Sequence, residues 1–193
     1  MSDLKQALHR SLQQSRAGLL SRLTGLGEYD LRRPLTPTGT NLLGLVKHLA
    51  GLEYGYLGES FARAAPEALP WVEDGSIWQN ADMWVKPEES REYIFGLYER
   101  ACAHADRTIA DLDLESPGSV PHWPEGQRDA TLGDLLVLMV AETAQHAGHA
   151  DIIRELVDGT AGRDHDEIFD ENSWQAYTGQ IQRSASEFRD AGP

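Results

Sequence analysis

The chain has 193 residues, 40% of them hydrophobic and 25% charged, enough for one domain with a real core and unlike a disordered or fibrous composition. Its 31 acidic residues against 17 basic ones leave a formal charge of −14, which repels phosphate backbones and anionic lipid. No cluster of Lys and Arg interleaves with aromatics, which argues against nucleic acid as a partner. No stretch nears the ~20 apolar residues of a membrane span. The polar N-terminus lacks a signal-peptide core, so the expected location is the cytoplasm.

The dominant hydrophobic period is helical, with no repeat and only weak strand signals. A first helix is predicted over residues 3–26, with Asp3 as N-cap and Leu4, Leu8, Leu12, Leu19, Leu23 and Leu26 as its apolar stripe. Pro34, Pro37 and Gly39 then break the chain into a loop. The second helix is predicted from Thr40 or Asn41 to residue 63, with Leu42, Leu45, Leu49, Leu52 and Tyr56 on one side. Residues 64–86 form a long connection with three tryptophans, Trp71, Trp78 and Trp84, and loops of this length are often lids or docking segments.

Pro87 suits the first turn of a third helix, which runs to residue 112 with Ile94, Leu97, Tyr98, Ala101, Ala105, Ile109 and Leu112 as its stripe. Cys102, the only cysteine, excludes an intramolecular disulfide and reads as a packed thiol among alanines. After a Pro-rich loop the fourth helix is sharply delimited. Thr131 and Asp134 form a capping box, and Gly159 is its C-terminal cap. Four long helices without strands predict an all-α four-helix bundle over residues 1–160. A C-terminal extension, residues 161–193, with a short helix near 172–188, is expected to pack on it.

Helix four carries the chemistry. At about 100° per residue, Leu135, Leu138, Met139, His146, His149, Ile153 and Leu156 fall within about 60° of Glu142. Three polar groups thus occupy positions that the pattern assigns to the core. A buried carboxylate without partners costs several kcal/mol. A divalent cation removes that cost, and a hydrogen-bonded polar cluster is the alternative. Glu142 and His146 lie one turn apart, about 6 Å, and suit one ion, whereas Glu142 and His149 are about 10.5 Å apart. His146 therefore belongs to either pairing. A third ligand must come from a facing helix: His48 leads, and His104 is its rival. Gly44, Gly51, Gly55 and Gly58 line up beside His48, either for close helix crossing or as room for a ligand.

The segments LRRPLTPTGTNLLGLVKHLAG (residues 31–51) and AETAQHAGHADIIRE (residues 141–155) resemble the DinB-like superfamily of four-helix metalloproteins, closest to its actinobacterial branch. The resemblance covers residues 3–160. It implies one His from helix two and two ligands four residues apart on helix four, hence His48, Glu142 and His146. Many members carry His where this chain has Glu142; the related mycothiol-dependent maleylpyruvate isomerase is similar in using His, Glu and His. His149 falls in the pocket and is the expected proton carrier. Two His and one Glu make a catalytic zinc set, with nickel, iron or manganese also compatible. The implied function is metal-dependent activation of a small thiol such as mycothiol for S-transfer or isomerisation, in a homodimer. A metal-dependent hydrolase and a non-catalytic metal-binding stress-response protein are the alternatives.

Overall fold

The computed structural model describes residues 3–161 and 170–189, so His165 and the start of the C-terminal extension lie outside it. Four long helices carry the fold: α1 (Asp3–Leu23), α3 (Leu42–Leu57), α5 (Arg91–Asp111) and α6 (Leu132–Asp158). Between them lie two short helices, α2 (Glu28–Arg32) and α4 (Pro70–Glu73). A small antiparallel pair, β1 (Pro117–Ser119) with β2 (Asp129–Thr131), precedes α6, and α7 (Glu171–Ser186) follows it. The all-α bundle is as expected. The strand pair is an addition, too short for its alternation to register in the sequence. No helix among the described residues is long and apolar enough to cross a membrane.

Local chemistry sets the helix ends. α1 stops at Leu23 rather than residue 26, because Gly25 turns the chain at φ +80°; Leu26 still reaches the core. Leu4, placed in the apolar stripe by periodicity, is 59% exposed. α3 starts from Asn41, whose side chain accepts from Gly44 N–H, and ends at Leu57, not near residue 63. Gly58 closes it, where a Cβ would sit 2.4 Å from the Tyr54 carbonyl. Ser90, not Pro87, precedes α5 and caps it through Tyr93 N–H. Both halves of the Thr131–Asp134 capping box form, and Gly159 ends α6 at φ +78°. Residues in α7 are not buried.

The helix directions follow from their cross-contacts. Residue numbers rise together on α3 and α5: Lys47 binds Glu89 just before α5, Glu53 lies by Cys102, and the Tyr54 ring meets His104. These neighbours therefore run parallel. α1 opposes α5, since His9 pairs with Asp106 and Lys5 Nζ binds the Leu112 carbonyl. α6 runs alongside α1, joined by the Arg22–Asp151 pair and by Arg154, which donates to the Arg22 and Thr24 carbonyls. Residues 58–90 must accordingly return along the length of α3. Glu67 anchors the start of this crossover, accepting from Tyr54 and, through both carboxylate oxygens, from Arg100 Nε and Nη2. Lys47 anchors its end: fully buried, it lies 4.4 Å from the Trp71 ring and donates to Glu89 and the Trp84 carbonyl.

The core holds one closed polar network. Arg16 on α1 donates through Nε and Nη2 to both oxygens of Glu53, at 2.7 and 2.6 Å, and through Nη1 to Asp106 at 2.7 Å. His9 donates to the same Asp106 oxygen at 2.9 Å. Burial pushes the Glu53 carboxyl up and the Arg16 guanidinium pulls it back; burial also opposes the Arg16 charge, but Glu53 outweighs it. Burial and Glu53 likewise push the Cys102 thiol up, so it is a packed thiol rather than a nucleophile.

Removing one partner of this network strands a buried charge. Glu53→Ala is expected to cost about 3–5 kcal/mol in a urea melt, whereas Glu53→Leu with Arg16→Met recovers most of the loss. A small effect of Glu53→Ala alone would show that Asp106 and His9 suffice to hold Arg16.

Candidate metal centre

His48 projects from the middle of α3 at the seam between α6 and the crossover. Its Nδ1–H donates to Asp82 Oδ2 at 2.6 Å, and Asp82 is buried at 5% exposure. That bond fixes the tautomer and orientation of the ring and leaves Nε2 as the free acceptor. Two features bring Asp82 there. Asn80 turns the crossover at φ +60°, and Asn41 Nδ2 holds the Met83 carbonyl at 2.9 Å.

Glu142 and His146 extend from α6 one turn apart. His146 Nε2 is 3.6 Å from Glu142 Oε2, beyond hydrogen-bond distance, and its Nδ1 is buried without a partner. The His146 ring stands edge-on to His48 with centroids 5.0 Å apart. One ligand atom from each of His48, Glu142 and His146 lies within 4.8 Å of the other two. A tetrahedral ion with ~2.1 Å bonds sets its ligand atoms about 3.4 Å apart, within reach of side-chain rotation.

These residues fit a divalent cation. Two imidazole nitrogens and a carboxylate oxygen converging within 4.8 Å are an ordinary donor set for such an ion, and His146 Nε2 and Glu142 Oε2 face each other without bonding. Burial first, then the His48 and His149 rings, lowers the His146 pKa to about 4, which keeps the ring neutral at physiological pH, the form that binds metals. The Glu142 side chain is 39% exposed, so one side of the group opens to solvent.

The site lies at the edge of the α6 core face, not at its centre. Leu132, Leu136, Met139, Thr143 and Ala150 form the buried line, and Glu142 is turned by about 100° from Thr143. The sequence pattern had centred the stripe on Glu142; Leu156, assigned to the core by it, is 63% exposed. His149 is exposed as well, its ring 5.5 Å from His146, beside the converging groups and not among them. His104, the rival third ligand, is engaged elsewhere: its Nε2–H donates to the Arg63 carbonyl at 3.1 Å. Asp82 is the member that sequence reasoning missed. It sits in a connection with Glu67, Glu73, Asp74, Glu88 and Glu89, and nothing local sets it apart.

The glycine row divides into two kinds. A Cβ at Gly44 would lie 2.0 Å from the Met83 carbonyl, so there the crossover backbone presses on α3. A Cβ at Gly51 would meet only Trp71 Nε1, at 3.8 Å, and one at Gly55 would meet nothing within 4 Å. At Gly44, Gly51 and Gly55 the neighbour is crossover or open space, whereas a Cβ at Gly58 would also lie 3.0 Å from His104 Nε2 on the neighbouring α5.

Residues 7–159 match a family model described as MST: Mycothiol-S-transferase. No curated protein matches the chain.

The lowered His146 pKa carries a pH signature. The ordinary value is 6.5 and the folded one about 4, so the unfolded chain binds the proton first as pH falls. Stability from this group is complete above pH 6.5 and is lost as pH drops towards about 4. Metal-free protein should lose stability over this window in denaturant melts, and His146→Gln should flatten the dependence. An unchanged slope would assign the acid loss to other groups.

Proposed function

Because the chain belongs to the mycothiol-S-transferase family, a DinB-like branch, we propose that it joins the mycothiol sulfur to an electrophilic carbon at a zinc ion held by His48, Glu142 and His146. The observation that carries this reading is the convergence of one ligand atom from each of His48, Glu142 and His146 to within 4.8 Å of one another. Bound there, zinc supplies a seat for the sulfur and lowers the thiol pKa, giving a thiolate at neutral pH.

The rest of the work falls to the side chains. Asp82 holds His48 by Nδ1, which leaves Nε2 as the atom that would hold the ion. Glu142 would reduce the positive charge of the centre, and its exposed side gives substrate a way to the group. His149, exposed one turn beyond His146, takes the thiol proton. The sulfur lone pair forms the S–C bond as the bond from that carbon to its leaving group breaks. A halide leaving group departs with the electron pair as the free anion, and the proton taken by His149 passes to solvent.

Zinc-loaded protein should conjugate mycothiol to a model alkyl halide faster than the uncatalysed reaction. His48→Ala, Glu142→Ala and His146→Ala should each lose the metal by elemental analysis. A wild type that stays metal-free when zinc or nickel is supplied, or a loaded one with no rate enhancement, would sink the reading.

Asp82→Asn should keep the fold and weaken zinc binding by about 10–100-fold in chelator competition, the usual effect of removing a ligand's orienting partner. Wild-type affinity in that variant would show that His48 needs no such support.

A further inference from the structure

Beyond His48, α3 is left uncovered at Gly55. Positions 48 and 55 point within about 20° of one another, and the space a side chain would fill at Gly55 is open. About 12 Å past His48 along the helix axis, Tyr56 stands in a cluster of rings drawn from three segments. Its hydroxyl lies 3.3 Å from His122 Nε2, with the two rings 5.6 Å apart. Trp123 lies 6.1 Å from Tyr56, and Trp78, from the crossover, lies 6.3 Å from His122.

Neither Trp78 nor His122 belongs to the core. Trp78 is 75% exposed, and an indole held so open beside a polar pair has the character of a binding surface. Burial, opposed by Glu59, lowers the His122 pKa, so the ring is neutral at physiological pH. The cluster therefore offers an apolar face, a hydroxyl and an imidazole, and no ring charge. Those are the groups that bind a sugar: C–H faces stack on aromatics while hydroxyls pair with polar atoms.

We propose that this groove is the subsite for the carbohydrate arm of the thiol: with sulfur near His48, the arm lies over Gly55, stacks on Trp78 and hydrogen-bonds to the Tyr56–His122 pair. The assignment rests on the reading of the chain as a mycothiol transferase. Mycothiol carries its acylated cysteine on an uncharged glucosaminyl-inositol unit, so its polyol end is separated from the sulfur by an amide link and one sugar. That separation is of the order of the ~12 Å between His48 and Tyr56 along α3.

The test is calorimetric titration of the zinc-loaded protein with mycothiol and, separately, with N-acetylcysteine, which has the same sulfur head and no arm. Two variants report on the groove: Trp78→Ala removes the stacking face, and Gly55→Leu fills the floor at a position where any side chain favours the helix over Gly. Wild type should bind mycothiol at least about tenfold more tightly than N-acetylcysteine, and either variant should erase about tenfold of mycothiol affinity while leaving N-acetylcysteine unchanged. Equal binding of the two thiols by wild type, or unaltered mycothiol affinity in both variants, would overturn the subsite and leave the transferase reading standing. If neither thiol binds, the transferase reading falls, and the subsite with it.

Discussion

The parallel run of α3 and α5 governs how this molecule is built. Parallel neighbours cannot be joined by a tight turn, so residues 58–90 must travel back along α3 before α5 begins. That return path lays a second layer over the outer face of α3. Lys47, buried and donating to Glu89 and the Trp84 carbonyl, clamps its end, and Glu67 between Tyr54 and Arg100 clamps its start. Asp82 reaches His48 only because the crossover is pressed onto the Gly44 side of the helix, and Trp78 reaches His122 by the same route. A bundle of the same four helices with short antiparallel connections would have neither.

Two polar groupings share this bundle and differ in how fully their needs are met. Around Arg16 the charges are paired: a bidentate pair with Glu53, a further bond to Asp106, and His9 on the same carboxylate. Such a network ties α1, α3 and α5 together. Around His48 and His146 the satisfaction stops short. Asp82 uses one nitrogen of His48, while His146 keeps Nδ1 buried and unpaired, and Glu142 stands half open. The first arrangement ties helices together through paired charges, whereas the second leaves a carboxylate and an imidazole facing each other without a bond.

The edge position of the second cluster reconciles burial with access. Had Glu142 faced the centre of the bundle, its charge would have lost solvent on every side, and no substrate would reach an ion beside it. Set off the buried line of Thr143, it retains contact with water, and the enclosed His146 stays neutral. The open space at Gly55 continues this edge along α3.

Much of the molecule was legible in its sequence, and what was legible is local. The helical period, the Asn41 and Thr131–Asp134 caps and the stop at Gly159 depend on a few consecutive residues, so they can be read from order alone. The pairing of Glu142 with His146 is of the same kind, since one turn of helix fixes their separation. The strand pair and the early end of α1 escaped notice because they rest on three-residue segments and one glycine at positive φ. What periodicity could not reveal is rotation: it placed Glu142 at the centre of a stripe and Leu156 in the core, whereas packing against α1 and α3 turned that face aside. Nor could it choose between His48 and His104, or find Asp82 among the acids of the crossover. Those outcomes were decided by which helices lie side by side and where a long return segment comes to rest, and such contacts between residues far apart in the chain leave no period in the sequence.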